Sequence, residues 1–201
     1  MSSFPERIDR LIRHLTAEVS VVNAKQGDHV TNFHFEPEEW TEFRKQLPTI
    51  LRRLRESGLD PQVVSFGSLV LEIFREAKMY PLLLKMESQG NFSHAQRNDA
   101  LYALLAGGPS GFQLTTNAPI IASLRREIDR VAALKNGVLL LTDTELIHPL
   151  FRVSAFEQIL QGKFACPTVI CYPGRRGTIG DNPSFLGIKS SDGNYRSTHI
   201  Y

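Results

Sequence analysis

Cysteine, long apolar runs and net charge are all scarce in this chain, and each shortage narrows what it can do. Its 201 residues hold two cysteines, Cys166 and Cys171. They lie in one strand-like run at an odd offset, which turns them to opposite faces, so no disulfide between them is expected. Two thiols do not make a structural zinc site by themselves. They read as small buried hydrophobes. No stretch approaches the roughly 20 apolar residues of a membrane span. The N-terminus places Glu6, Asp9 and several arginines in an amphipathic pattern rather than around a signal-peptide core, so a cytoplasmic location is expected. With 23 Lys and Arg against 21 Asp and Glu, the formal charge is only +2. That gives no overall electrostatic case for a dedicated nucleic-acid binder, although a local patch stays open. An apolar share of 42% with mixed charge argues for a packed domain rather than disorder.

The usual signatures of catalysis are equally thin. A phosphate loop sets glycines between a strand and a helix, followed by Lys and Ser or Thr. Residues 107–111, Gly-Gly-Pro-Ser-Gly, follow a helix instead and lack that pair. Gly67-Ser68 does follow a strand and open a helix, but one glycine is no cradle. The six histidines, His14, His29, His34, His94, His148 and His199, are scattered, and no pair has metal-ligand spacing on a helix. His29 and His34 share a strand but point to opposite faces. Surface or edge positions are expected for all six. No Gly-x-Ser-x-Gly elbow occurs. The reading is no catalytic residue, no cofactor and no metal.

What is present is an alternation of short apolar runs and amphipathic stretches. Residues 5–18 read as a helix with Ile8, Leu11, Ile12 and Leu15 on one stripe; Arg7, Arg10 and Arg13 lie off it as a solvated face. Residues 29–35 read as a first strand. Glu36-Pro37-Glu38-Glu39 then opens a helix, with proline and acids at its positive end. Pro48 either kinks that helix or splits it, and Gly58 ends it. A second strand spans 62–66. Helices follow from Ser68, over 80–89, over 93–105 with a Ser93/Gln96 capping box, and over 118–134 behind Asn117. Residues 79–84 are apolar enough to belong to a core or an interface. Arg52, Arg53, Arg55, Arg125, Arg126 and Arg130 alternate with acids on helices, as solvated faces do.

Residues 137–174 are the centre of the chain. Two uncharged runs, 138–141 and 167–172, have the look of strands buried on both faces. Between them, Thr142 and Glu145 have capping-box spacing, and Leu146, Leu150, Val153, Phe156, Ile159 and Leu160 recur at helical spacing up to Gly162. Strand, helix, strand at this length forces parallel strands joined by a right-handed crossover. After Gly174 comes a loop containing Arg175 and Arg176. Residues 184–189 and 195–201 then read as two strands around Ser191-Asp192-Gly193-Asn194, a hairpin signal. Arg175 and Arg176 follow the carboxyl end of a parallel strand, where open α/β sheets place their crevices, and residues 142–145 reach the same edge. Those two loops could take an anion or an acidic partner loop.

The fold expected is a single three-layer α/β domain over 1–201. It has about four mostly parallel strands, a helical insertion over 67–134 and a C-terminal β-hairpin, nucleotide-binding in appearance without an intact phosphate loop.

Pro149-Leu150-Phe151-Arg152 after a buried strand, the strand ending Tyr172-Pro173-Gly174, and Phe185-Leu186-Gly187 with Asn194-Tyr195-Arg196 in the tail resemble the BrxB family of BREX phage-exclusion systems. The resemblance covers roughly the last third of the chain. It implies a non-enzymatic bacterial assembly factor whose partner is a PglZ-like protein of the alkaline-phosphatase superfamily, and it marks Arg152, Tyr195 and Arg196. Tyr172 and Tyr195 also suit packing of the hairpin on the sheet. Two other functions stay open from the residues: a nucleic-acid-contacting module using Arg175 and Arg176, and a cryptic nucleotide-binding or hydrolytic protein around residues 142–145.

Overall fold

The computed structural model describes residues 3–22, 29–90, 92–109, 113–148, 150–175, 184–185 and 197–201. Seven α-helices and six strands lie among them. In chain order they are α1 Phe4–Val22, β1 Val30–Phe35, α2 Trp40–Glu56, β2 Asp60–Ser65, α3 Phe66–Glu76, α4 Tyr80–Ser88, α5 His94–Ala106, α6 Pro119–Ala132, β3 Gly137–Thr142, α7 Val153–Ile159, β4 Thr168–Arg175, β5 Ser184–Phe185 and β6 Thr198–Ile200. Short 3-10 turns, Pro37–Glu39 and Thr144–Ile147, precede α2 and follow β3.

The sheet runs in the order β2-β3-β4-β1-β6, and every one of these neighbours is parallel. The α/β fold with a mostly parallel sheet, read from the buried apolar runs, is what the chain forms. Both faces are covered, so the central strands β1 and β3 are buried along their whole length. On one face α1 and α2 cover Phe33, Phe35, Val138, Leu140, Val169, Cys171 and Ile200. On the other, α3, α5, α6 and α7 cover Val64, Leu139, Leu141, Ile170 and Tyr172. The helical stretch between β2 and β3 thus supplies most of one layer. Cys166 and Cys171 fall in opposite cores as free thiols. Burial pushes the Cys166 thiol up to about 11 and raises Cys171 further, in keeping with inert core residues. Pro61 fits because β2 is an edge strand, where a missing N–H costs no ladder bond.

Several local expectations change. α2 runs unbroken through Pro48. Asn117 is not the cap of α6. Ala118 holds that position and Pro119 starts the helix with its fixed φ, so no side-chain cap is made. The capping-box spacing of Thr142 and Glu145 does not start a helix. Asp143 sits in the left-handed region at φ 59, only a 3-10 turn follows, and the crossover helix shrinks to α7. Leu146, placed on the apolar stripe by spacing, is consequently 60% exposed. The C-terminal hairpin is also revised. β5 pairs antiparallel with β4, and β6 pairs parallel with β1, so the described ends of the two segments do not pair with each other. The edge of β1 offers β6 a buried ladder, with Ile200 packed under α1 and α2. Residues 186–196, including the turn, lie outside the described residues.

The capping box at α5 is realised. The Ser93 hydroxyl accepts from the Gln96 N–H at 3.2 Å, and the Gln96 side chain accepts from the Ser93 N–H at 2.8 Å. Ser93→Ala should cost about 1 kcal/mol, read as a lower urea midpoint at unchanged m-value.

Candidate functional site

Parallel α/β sheets take ligands at the carboxyl ends of their strands, where the chain leaves neighbouring strands toward opposite faces. Here β1 leads to α2 on one face and β3 leads to α7 on the other, with β4 between them. The crevice position is therefore bordered by Glu36 to Glu39, Ser65 to Gly67, Thr142 to Glu145 and the end of β4.

At this edge the described side chains of Glu39, Asp143, Thr144 and Glu145 have internal partners. Arg44 of α2 pairs with Asp143 at 2.8 Å and lies over the Trp40 ring. The Trp40 indole N–H donates to Glu145 at 3.0 Å. Glu39 pairs with Arg7 of α1 and also accepts from the Glu36 N–H at 2.8 Å. The Thr144 hydroxyl donates to the Cys171 carbonyl at 3.1 Å. Arg7, expected on a solvated face, is buried by its Glu39 partner and the Phe4 ring beneath it. The acids at 143 and 145 that looked available to a ligand or partner loop are thus tied to α2.

The strand–glycine–helix junction is closed as well. The first turn of α3 leaves N–H groups able to bind an anion. The Gly67 N–H instead donates to the Ser65 hydroxyl at 3.1 Å. Leu146 sits so close that a Cβ on Gly67 would lie 2.8 Å from its Cδ1. An apolar side chain therefore rests against the backbone at the start of α3.

A second polar group of residues lies where β1 meets β6. The His34 and His199 rings bond through Nε2 and Nδ1 at 2.8 Å. Tyr201 stacks on His34 at 4.3 Å, and Tyr172 meets it edge-on at 5.0 Å. The Asn32 amide donates to Glu157 at 2.9 Å and to Ser197 at 2.8 Å. Burial, then His199, then Arg7 push His34 down to about 3. Burial also lowers His199, and it raises Glu157 against hydrogen bonds from Asn32 and Ser197. A neutral His34 whose Nδ1 has no hydrogen-bond partner is best placed with its proton on Nε2, donating to His199. His199 then donates from Nε2 toward Ser197 at 3.4 Å, the direction opposite to that needed to activate a serine. The group ties β6 to β1 and α7. His34 is a core histidine, not the surface or edge residue expected from its lone position.

The residues marked in the sequence disperse. Arg152 holds the N-cap position of α7, exposed, rather than lying on the helix among apolar neighbours. Tyr172 is in the core, and Gly174 and Arg175 form the ladder to β5. Arg176, Tyr195 and Arg196 lie outside the described residues. The His34–His199 pair and the burial of Arg7 went unseen. Arg7 follows Phe4 by three and precedes Leu11 by four, so its helical spacing already placed it beside the apolar stripe.

Among the described residues, no helix is long and apolar enough to cross a membrane, and no group of three or more His, Cys, Asp or Glu could hold a metal ion. No family model, no curated protein and no solved structure matches this chain.

Proposed function

We propose that the chain is a non-enzymatic adaptor that binds a PglZ-like protein in a BREX-type phage-defence system of the bacterial cytoplasm. The observation that carries the non-enzymatic part is the closed carboxyl edge, where Leu146 seats over Gly67 and α2 consumes Asp143 and Glu145. A site whose charges are satisfied from within has little to offer a developing charge in a transition state. A rigid sheet with both faces covered is still a sound frame for presenting a surface. The partner's identity rests on the likeness of residues 149–152, 172–174, 185–187 and 194–196 to the BrxB family.

Thermal unfolding in the presence of candidate ligands tests this reading. A ligand at 100 times its dissociation constant stabilises the folded state by about 2.7 kcal/mol. Saturating PglZ-like protein should raise the midpoint of this chain, while nucleotide with magnesium should leave it unmoved. A nucleotide-dependent rise would favour the cryptic nucleotide-binding reading. A salt-sensitive rise with duplex DNA would favour the nucleic-acid-contacting one.

A further inference from the structure

We infer that α4 is the docking element of this chain, and that it seats in an apolar groove with an acidic rim on a partner protein. This rests on the adaptor reading and gives it a surface. α4 carries Tyr80, Pro81, Leu82, Leu83, Leu84 and Met86, yet only Met86 is buried. Tyr80 and Leu82 are each 46% exposed and Leu84 53%. Tyr80 and Leu84, four apart, share one face, and Leu82 lies on the opposite side of the helix, so α4 is exposed on two sides. An apolar helix that contributes so little to the core keeps its apolar surface for something else, and helix-in-groove docking uses this spacing.

The charges around α4 choose the occupant. The acid of α4, Glu87, pairs with Arg97 at 2.9 Å, and at the end of α3 Glu76 shares Arg126 with Glu72, at 3.5 and 3.0 Å. Arg75, Lys78 and Lys85 are exposed and hold no ion pair among the described residues. The chain from residue 75 to 85 thus carries three exposed cations without an ion pair among the described residues. A second copy would bring these same positive charges together across a two-fold axis, which costs affinity. A partner groove edged with Asp and Glu is complementary.

The test titrates the PglZ-like protein with wild-type chain and with the variants Leu84→Glu and Lys85→Glu, by calorimetry, beside hydrogen exchange of residues 80–88. Both positions are exposed, so the variants should fold. Leu84→Glu should weaken binding at least tenfold. Lys85→Glu should weaken it severalfold, with a loss that shrinks at high salt. Amides of α4 should exchange more slowly in the complex. Tight wild-type binding that neither variant changes overturns the docking site and leaves the adaptor reading standing. Absence of wild-type binding removes both. A wild-type homodimer that Leu84→Glu dissolves overturns the heterologous partner in favour of a second copy.

Discussion

Replacing Glu39 with alanine should lower stability by about 3 kcal/mol, far more than any exposed ion pair of this chain is worth. Arg7 is only 8% exposed and its guanidinium depends on Glu39. Without that carboxylate, a cation stays in a poorly solvated place over the Phe4 ring. Breaking a buried pair from one side costs about 3–5 kcal/mol, and the 28% exposure of the Glu39 side chain places this case at the low end. The change also removes the acceptor for the Glu36 N–H at the start of the turn into α2. By comparison, Arg52 and Glu56 pair with side chains 63% and 57% exposed, and Glu56→Ala should cost no more than about 0.5 kcal/mol. Urea unfolding of both variants checks the contrast. Adding Arg7→Met to Glu39→Ala should recover most of the loss, since the stranded charge is its main source.

Acidification should destabilise the fold by an amount that His34 dominates. Folding lowers its pKa from 6.5 to about 3, so the unfolded chain binds a proton that the folded chain refuses. The stability tied to the neutral ring is therefore complete above pH 6.5 and falls as pH drops through the window from 6.5 toward 3. The slope reaches about 1.4 kcal/mol per pH unit. Between pH 6.5 and 4.5 that amounts to about 2–3 kcal/mol. His199 is lowered and acts in the same sense. Glu157 is raised by burial, so its neutral form is favoured by folding. Its contribution is present below its unfolded value and lost as pH rises through its folded one, and it offsets part of the histidine loss on acidification. Unfolding free energies across this range, for wild type and His34→Gln, should show a much flatter profile in the variant. An unchanged acid slope would mean that His34 is solvated.

The parallel strands were legible because burial on both faces leaves uninterrupted apolar runs such as residues 138–141 and 167–172. The helical layers were legible from spacing, as in α6. What escaped were pairings between distant residues. His34 and His199 lie 165 residues apart, and Arg7 and Glu39 lie 32 apart, so no local window contains either pair. The capping-box spacing at Thr142 and Glu145 misled for a different reason. Asp143 takes a left-handed turn that directs its carboxylate to Arg44, and that tertiary contact overrides the local helix signal. The hairpin signal at residues 191–194 weighed a local turn, whereas the free edge of β1 recruited the end of the chain. Residues 79–84 left core and interface unresolved, because the pattern of an apolar helix does not say whether another element covers it. In the fold little does.

The central claim, a chain built to bind rather than to catalyse, meets its most direct test in size-exclusion chromatography with light scattering. The wild-type chain would be co-expressed with a PglZ-like protein, the proposed partner. An adaptor gives one peak whose mass fits a defined stoichiometry of the two. Two separate peaks at micromolar concentration, each with the mass of its own component, would contradict it.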